Sequence, residues 1–472
     1  MAHSLRTYIN DLRTLMTDKT HTLIRGRKLV GNAAYLLFGQ VMSMLSPALT
    51  AIFVARKMSV DDFATLSYVL ALVAMATAVM TAGLSGLAIR EITAQNLKSQ
   101  YSASASMRSI VFLRETFACI GMIGVISISF LGGFGGDAAV LTAVAAISLL
   151  FRASDALEFW YQAHEKVASF VLLRGSILAI MIGIRIVLIY LGVNLLTIMW
   201  SIVAESLLLS VISWIYNRRS SLRVYWKSVG GSSTLDLLKM SWLLLLSGLL
   251  TQMNMRLGVV LLEHFSDKSE VARFAAASRL TEFAFVLPVV VTTASFPRLL
   301  KTRATYGPRS KQYLSEVDRS LRLAFSAGLV LCVVGVLLAP ILIPIVYGDG
   351  YNSSVPVLQL TVVTLPFIFM GAVLSKWLVA ENLLMLSTWR NALALVVNIV
   401  LIAIFAPKYG ALGAGFAYLW SYIFANYISF FFTRRSREMA SAMTYAMVYP
   451  VVFPVRRVLR SWARSRVMEE RK

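Results

Sequence analysis

Apolar runs of roughly twenty residues recur along the chain, separated by short polar links. The clearest pair lies at 240–262 and 271–296, joined by the polar stretch 263–270 and closed by Pro297-Arg298. Each run can cross a hydrocarbon core of roughly 30 Å at about 1.5 Å per helical residue. The same pattern predicts about twelve membrane helices, at approximately 29–55, 63–87, 109–131, 138–160, 170–191, 195–216, 239–262, 271–296, 321–346, 354–379, 384–405 and 410–433. Before them, residues 1–28 place Leu5, Ile9, Leu12, Leu15 and Met16 on one helical face, with Arg6, Arg13 and Lys19 elsewhere. That is the pattern of an amphipathic helix lying on a membrane surface.

A shift of 208 positions lays residues 31–90 over 239–298, with Asp61-Asp62-Phe63-Ala64 on Ser269-Glu270-Val271-Ala272 and Arg90 on Arg298. An even number of spans between repeats gives both halves the same orientation, related by an axis along the membrane normal. The reading is therefore an all-α polytopic membrane protein of two six-helix lobes, 29–216 and 239–433. A linker at 217–238 and a basic tail at 434–472 complete the chain.

Composition agrees: 58% of the residues are hydrophobic, 14% are charged and mean hydropathy is +0.72, too apolar for a soluble core. The net charge of +22 comes from loops and tails, where topology and anionic lipid account for it without nucleic acid. With the N-terminus inside, Arg90, Lys98, Arg108 and Arg114 fall in one inner loop, and the links after spans six and eight are also basic. The outer side keeps Arg56, Lys57, Lys268, Arg273 and Lys408. Both termini are expected in the cytoplasm of a bacterial inner-membrane protein.

Several charges lie within the spans, where they are costly and point to a protein interior or a wet cavity. Arg152, Asp155, Glu158 and Gln162 recur at helical spacing in span four. They read either as a self-neutralising Arg152–Asp155 pair at a helix contact or as an arginine oriented toward a cavity. Arg185 stands deep in span five with Glu205 of span six as its natural countercharge, whereas Arg174 reads as snorkelling to the inner headgroups. Gln252, Arg256 and Glu263 form one stripe, and Arg279 with Glu282 another. Lys376 and Arg390, near inner span ends, also read as snorkelling.

Arg152, Arg185, Arg256 and Arg279 thus form a candidate cationic cavity, since a guanidinium fork grips two oxygens of a phosphate, diphosphate or carboxylate. Asp155, Glu158, Glu205 and Glu282 are candidate coupling groups for H+ or Na+. Pro47 is a candidate hinge, and Gly410, Gly413 and Gly415 suggest close helix contact. No phosphate-binding loop, metal-ligand spacing or sizeable outer loop is present, so no catalytic site, metal or cofactor is expected and the chain reads as a transporter, not an enzyme.

Two stretches, 269–299 and 341–427, resemble the polysaccharide flippases, the Wzx-type lipid-linked oligosaccharide exporters of the superfamily that includes the multidrug extruders. The resemblance is carried by Glu270-Val271-Ala272-Arg273-Phe274-Ala275-Ala276-Ala277, Phe296-Pro297, Val346-Tyr347-Gly348-Asp349-Gly350-Tyr351, Asn398 and Pro407-Lys408-Tyr409-Gly410-Ala411-Leu412-Gly413-Ala414-Gly415. It implies a MATE-like V-shaped pair of lobes working by alternating access. The substrate would be a polyprenyl-diphosphate-linked oligosaccharide, with anionic membrane lipids, a polysaccharide polymerase and glycosyltransferases as further partners. Ala64 and Ala272 stand where the family usually has glycine, and Arg256 where members often carry an acid. The alternative is a small-molecule extruder of the same superfamily.

Overall fold

The computed structural model describes residues 34–450 apart from 82–83, 132–135, 227–233, 309, 382 and 433–435. The amphipathic segment expected at 1–28, part of the linker and the tail beyond 450 lie outside the described residues. The regular structure described is helical: α1 (Ala34–Lys57), α2 (Val60–Thr81), α3 (Leu84–Asn96), α4 (Gln100–Leu131), α5 (Gly136–Phe151), α6 (Leu157–Ala163), α7 (Val167–Tyr190) and α8 (Leu195–Arg219). Then follow α9 (Thr234–Phe265), α10 (Lys268–Phe283), α11 (Val286–Tyr306), α12 (Lys311–Tyr347), α13 (Val355–Val362), α14 (Leu365–Ala380), α15 (Leu384–Asn426) and a last helix, α16, at 437–450.

Local chemistry sets several of these limits. Asn194 caps α8 by accepting from the Thr197 amide at 3.0 Å, while Arg218 and Arg219 in its last turn face the negative end of the helix dipole. Ser310 caps α12 by accepting from the Tyr313 amide at 3.2 Å, and Gly348, at φ 96°, ends it. Arg108 and Arg114, read from sequence as loop residues, lie within α4 because that helix runs well beyond its apolar segment.

Among the described residues, nine helices are long and apolar enough to cross a membrane, or ten if the bent pair from 349 to 380 counts as one span. Two features separate this count from the expected twelve. The pair α10 and α11 covers the predicted eighth span but carries Arg273, Arg279 and Glu282. The 43-residue α15 covers two predicted spans and is broken by Gly410, at φ 52° and ψ −128°. The Phe405 and Phe416 rings, eleven positions apart, have centroids 5.1 Å from each other, so the chain doubles back there.

The helices gather into two compact units. The first takes the described parts of Met1–Thr50, Ser85–Cys119 and Ile147–Leu238. Here α7 lies along α8, and Trp160, Tyr161 and Phe170 are buried with Ala103, Met107 and Ile110 of α4. The second takes the described parts of Ala51–Leu84, Ile120–Ala146 and Lys239–Lys472. Within it α12 lies on α14, and α10 contacts α2, α13 and α15. Its largest core joins Tyr313, Leu321 and Phe325 of α12 to Phe369 and Leu374 of α14 and Met443 of α16.

Candidate functional site

In the first unit Arg185 points into the helix bundle and is 2% exposed. Its Nε donates to Ser201 Oγ at 2.8 Å. Nη1 donates to Ser46 Oγ at 3.3 Å and to Thr50 Oγ1 at 2.9 Å; Nη2 reaches Ser201 O at 3.3 Å and Glu205 Oε2 at 3.0 Å. Ser46 in turn donates to the same Glu205 oxygen at 2.8 Å. Glu205 is thus the countercharge that the sequence suggested. Every N–H of this guanidinium is committed, which is the condition under which a buried ion pair is tolerated.

The Arg152–Asp155 pair, one of the two readings of span four, is not among the ion pairs of the described residues. Residues Arg152–Ala156 make a 3₁₀ turn between α5 and α6, and this tighter winding breaks the continuous helical face expected for span four. Asp155 pairs instead with Arg174 Nη2 at 2.6 Å, so Arg174 is an interior partner rather than a snorkelling side chain. Arg114, 1% exposed, lies over the Phe159 ring at 5.4 Å and donates to the Arg152 carbonyl at 3.4 Å. Glu158 accepts from Gln162 Nε2 at 3.3 Å. Three arginines, Arg114, Arg152 and Arg174, therefore stand around two carboxylates. Sequence spacing concealed this cluster because it assembles from three helices.

In the second unit Arg256 makes a two-pronged pair with Glu282: Nη1 to Oε1 at 2.9 Å and Nη2 to Oε2 at 2.8 Å. Arg279, expected beside Glu282 on one stripe, turns toward α2. It donates to Ser67 Oγ at 3.4 Å and lies 5.8 Å from the Phe63 ring centroid, in the electrostatic range of Arg256, Glu282 and Tyr347. The Phe63, Tyr347 and Tyr351 rings meet at centroid distances of 5.4 to 5.8 Å. Nearby, Arg56 donates from Nε to the Val346 carbonyl at 2.8 Å and from Nη2 to the Ile345 carbonyl.

Asn398 is fully buried; its Nδ2 donates to Asn254 O at 3.1 Å and Oδ1 at 2.9 Å, and Asn254 Nδ2 reaches Ser421 Oγ at 3.2 Å. Arg390, read as snorkelling, is instead 5% exposed.

The family model described as "Polysaccharide biosynthesis protein" matches residues 29–303, more than half of the chain. The chain belongs to that family. No curated protein matches the sequence. Among solved structures, an inward-facing multidrug resistance MATE family transporter of the MOP superfamily aligns with a TM-score of 0.68 at 16% identity. The alignment covers 85% of this chain and 95% of the other. The lipid II flippase MurJ in an inward closed conformation aligns with a TM-score of 0.65 at 14% identity, over 89% of this chain and 92% of that one. An outward-facing MATE family transporter aligns at 0.60 and 15% identity, over 88% and 96%. These likenesses establish the fold: a multi-pass helical membrane protein of MATE and MurJ type.

Proposed function

We propose that this protein is a flippase that carries a polyprenyl-diphosphate-linked oligosaccharide from the inner to the outer leaflet of a bacterial inner membrane, with both termini cytoplasmic. The family match to polysaccharide biosynthesis carries this reading. A sugar chain built on a lipid diphosphate inside the cell has to cross the bilayer, and the charged head is the part that lipid tails exclude.

The two lobes, 29–216 and 239–433, would alternate access, with Pro47 of α1 serving as the hinge. Arg256, paired with Glu282, and Arg279, within electrostatic range of the same carboxylate, would supply guanidinium donors that suit a diphosphate. Arg152, with Arg114 and Arg174, would offer similar donors in the first unit. Arg185, with all its donors engaged, would enter only if the Glu205 pair opened. Coupling would follow from the same pairs: a proton or sodium ion on Glu282 would release Arg256, and Asp155, Glu158 and Glu205 could act alike. The polymerase and glycosyltransferases of the pathway would be its partners.

The test measures outer-leaflet glycan in cells carrying Arg256→Ala or Arg279→Ala at matched expression. Export should fall several-fold in each, and normal export in both would remove the cationic-cavity mechanism. The MATE likeness supports a second reading, small-molecule extrusion. Resistance to cationic drugs on overexpression, with glycan unaffected by deletion, would favour it. Interior arginines argue against it through repulsion of such substrates.

A further inference from the structure

Arg390 sits six residues past the start of α15, about 9 Å along the helix axis. Its guanidinium has two hydrogen-bonded protein partners, both neutral: Nη2 donates to Ser375 Oγ at 2.8 Å and Nη1 to Asn426 Oδ1 at 3.4 Å. Ser375 commits its own proton to the Gly371 carbonyl at 2.8 Å, which leaves its oxygen as an acceptor for Arg390. The Phe430 ring centroid lies 5.9 Å from the guanidinium carbon, and Nε has no acceptor. No ion pair among the described residues includes Arg390. Arg185, at comparable burial, holds a carboxylate, and so does the less buried Arg256; Arg390 holds none.

Beside it lies a cavity of about 460 Å³ between α9, α11, α14 and α15. Its lining includes the polar residues Arg390, Ser247, Thr251 and Asn391, the last donating to Ser247 Oγ at 3.1 Å and Thr251 Oγ1 at 3.0 Å. Leu244, Leu250, Ile368 and Val379 supply an apolar part. The volume falls within the usual range of about 300–1,000 Å³ for ligand pockets, far above the roughly 30 Å³ share of one water.

A buried guanidinium with spare donors calls for an acceptor, and a water molecule would satisfy the donors without compensating the charge. Tetrahedral phosphate oxygens do both and match the arginine fork. A lining that combines polar and apolar side chains fits an amphiphile. We propose that this cavity binds the phosphate or diphosphate headgroup of a lipid, with Arg390 as the gripping residue. The two sources of that chemistry are an anionic membrane phospholipid and a polyprenyl diphosphate. Neither Arg256 nor Arg279 lines this cavity, and the proposal does not depend on the flippase reading, because binding is measured without export.

The experiment uses the full chain purified in an uncharged detergent. Equilibrium binding is measured for farnesyl diphosphate and for dihexanoyl phosphatidylglycerol, with farnesol and dihexanoylglycerol as uncharged counterparts. At least one anion should bind the wild type in clear preference to its counterpart. Arg390→Gln should weaken that binding by about tenfold or more, the range expected for losing charge-assisted hydrogen bonds. Arg390→Lys keeps the buried charge but not the fork, and should weaken it by about threefold to tenfold. Ser387→Trp, which fills the cavity, should also reduce it and decides the matter together with Arg390→Lys if Arg390→Gln does not fold. Loss confined to farnesyl diphosphate assigns the site to a polyprenyl carrier; loss confined to phosphatidylglycerol assigns it to a membrane lipid, and loss of both to the shared headgroup chemistry. The proposal is overturned if neither anion binds in preference to its counterpart, or if the variants that fold bind as the wild type does.

Discussion

The carboxylate of Glu270 lies directly against the backbone at Gly410, where Oε2 accepts from the Ala411 amide at 2.7 Å. A Cβ on residue 410 would collide with that same oxygen, and the φ of +52° disfavours any side chain. The first turn of α10 is thereby joined to the reversal inside α15. Gly410→Ala should cost about 1–3 kcal/mol, read as a lower unfolding temperature in detergent. Adding Glu270→Ala should remove the collision but not the backbone strain, so the double variant should lose less than the two single losses added together. Strict additivity would mean that the two residues do not interact.

Arg185 and Glu205 form the most enclosed ion pair among those described. Glu205→Ala strands a buried cation and should destabilise the protein by about 3–5 kcal/mol. Replacing both residues by leucine should recover most of that loss, because neither charge is then left alone. If the double variant is as unstable as the single one, the surrounding hydroxyls of Ser46, Thr50 and Ser201, and not the pair, set the cost.

Arg56 ties the end of α1 to the end of α12 through two backbone carbonyls. Hydrogen bonds from a charged donor are worth about 1.5–3 kcal/mol, so Arg56→Ala should expose the adjacent aromatic cluster more often. In a background without Cys119 and Cys332, a Tyr351→Cys probe should react with a membrane-impermeant thiol reagent several-fold faster once Arg56 is replaced. Equal rates would show that this contact does not hold the cluster shut.

Asn398 bridges α9 and the first arm of α15 from a fully buried position. Asn398→Ala leaves the Asn254 carbonyl and amide oxygens without that donor and should cost about 1–3 kcal/mol, again read by thermal unfolding. Asn398→Asp should be worse, since it brings charge without a donor to the same place. A neutral effect from both would mean that water replaces the amide freely.

The helical, membrane-spanning class and the Arg185–Glu205 pair were legible because each depends on properties a sequence displays directly: recurring apolar runs, and opposite charge at similar depth in neighbouring spans. The partners of Asp155 were not. A 3₁₀ turn at Arg152–Ala156 changes which residues align, and nothing in those five residues announces it. Arg390 was misread for a related reason. Distance from a span end says how far a side chain could reach, but its direction toward Ser375 and Asn426 is set by neighbouring helices. The motifs around Glu270 and Gly410 were visible as separate marks, and their contact spans 141 positions of chain.

At 37 residues, α12 extends about 55 Å, against a hydrocarbon core of roughly 30 Å. Its first turns carry Lys311, Glu316, Asp318 and Arg319, and Arg322 adds an ion pair with Asp318 at 3.2 Å. The surplus length at this end stays helical, and Tyr313 and Val317 bury one of its faces in the core that also holds Trp377 and Met443. Because the helix is continuous through its charged first turns, any tilt of α12 would be carried to that end as a sideways swing.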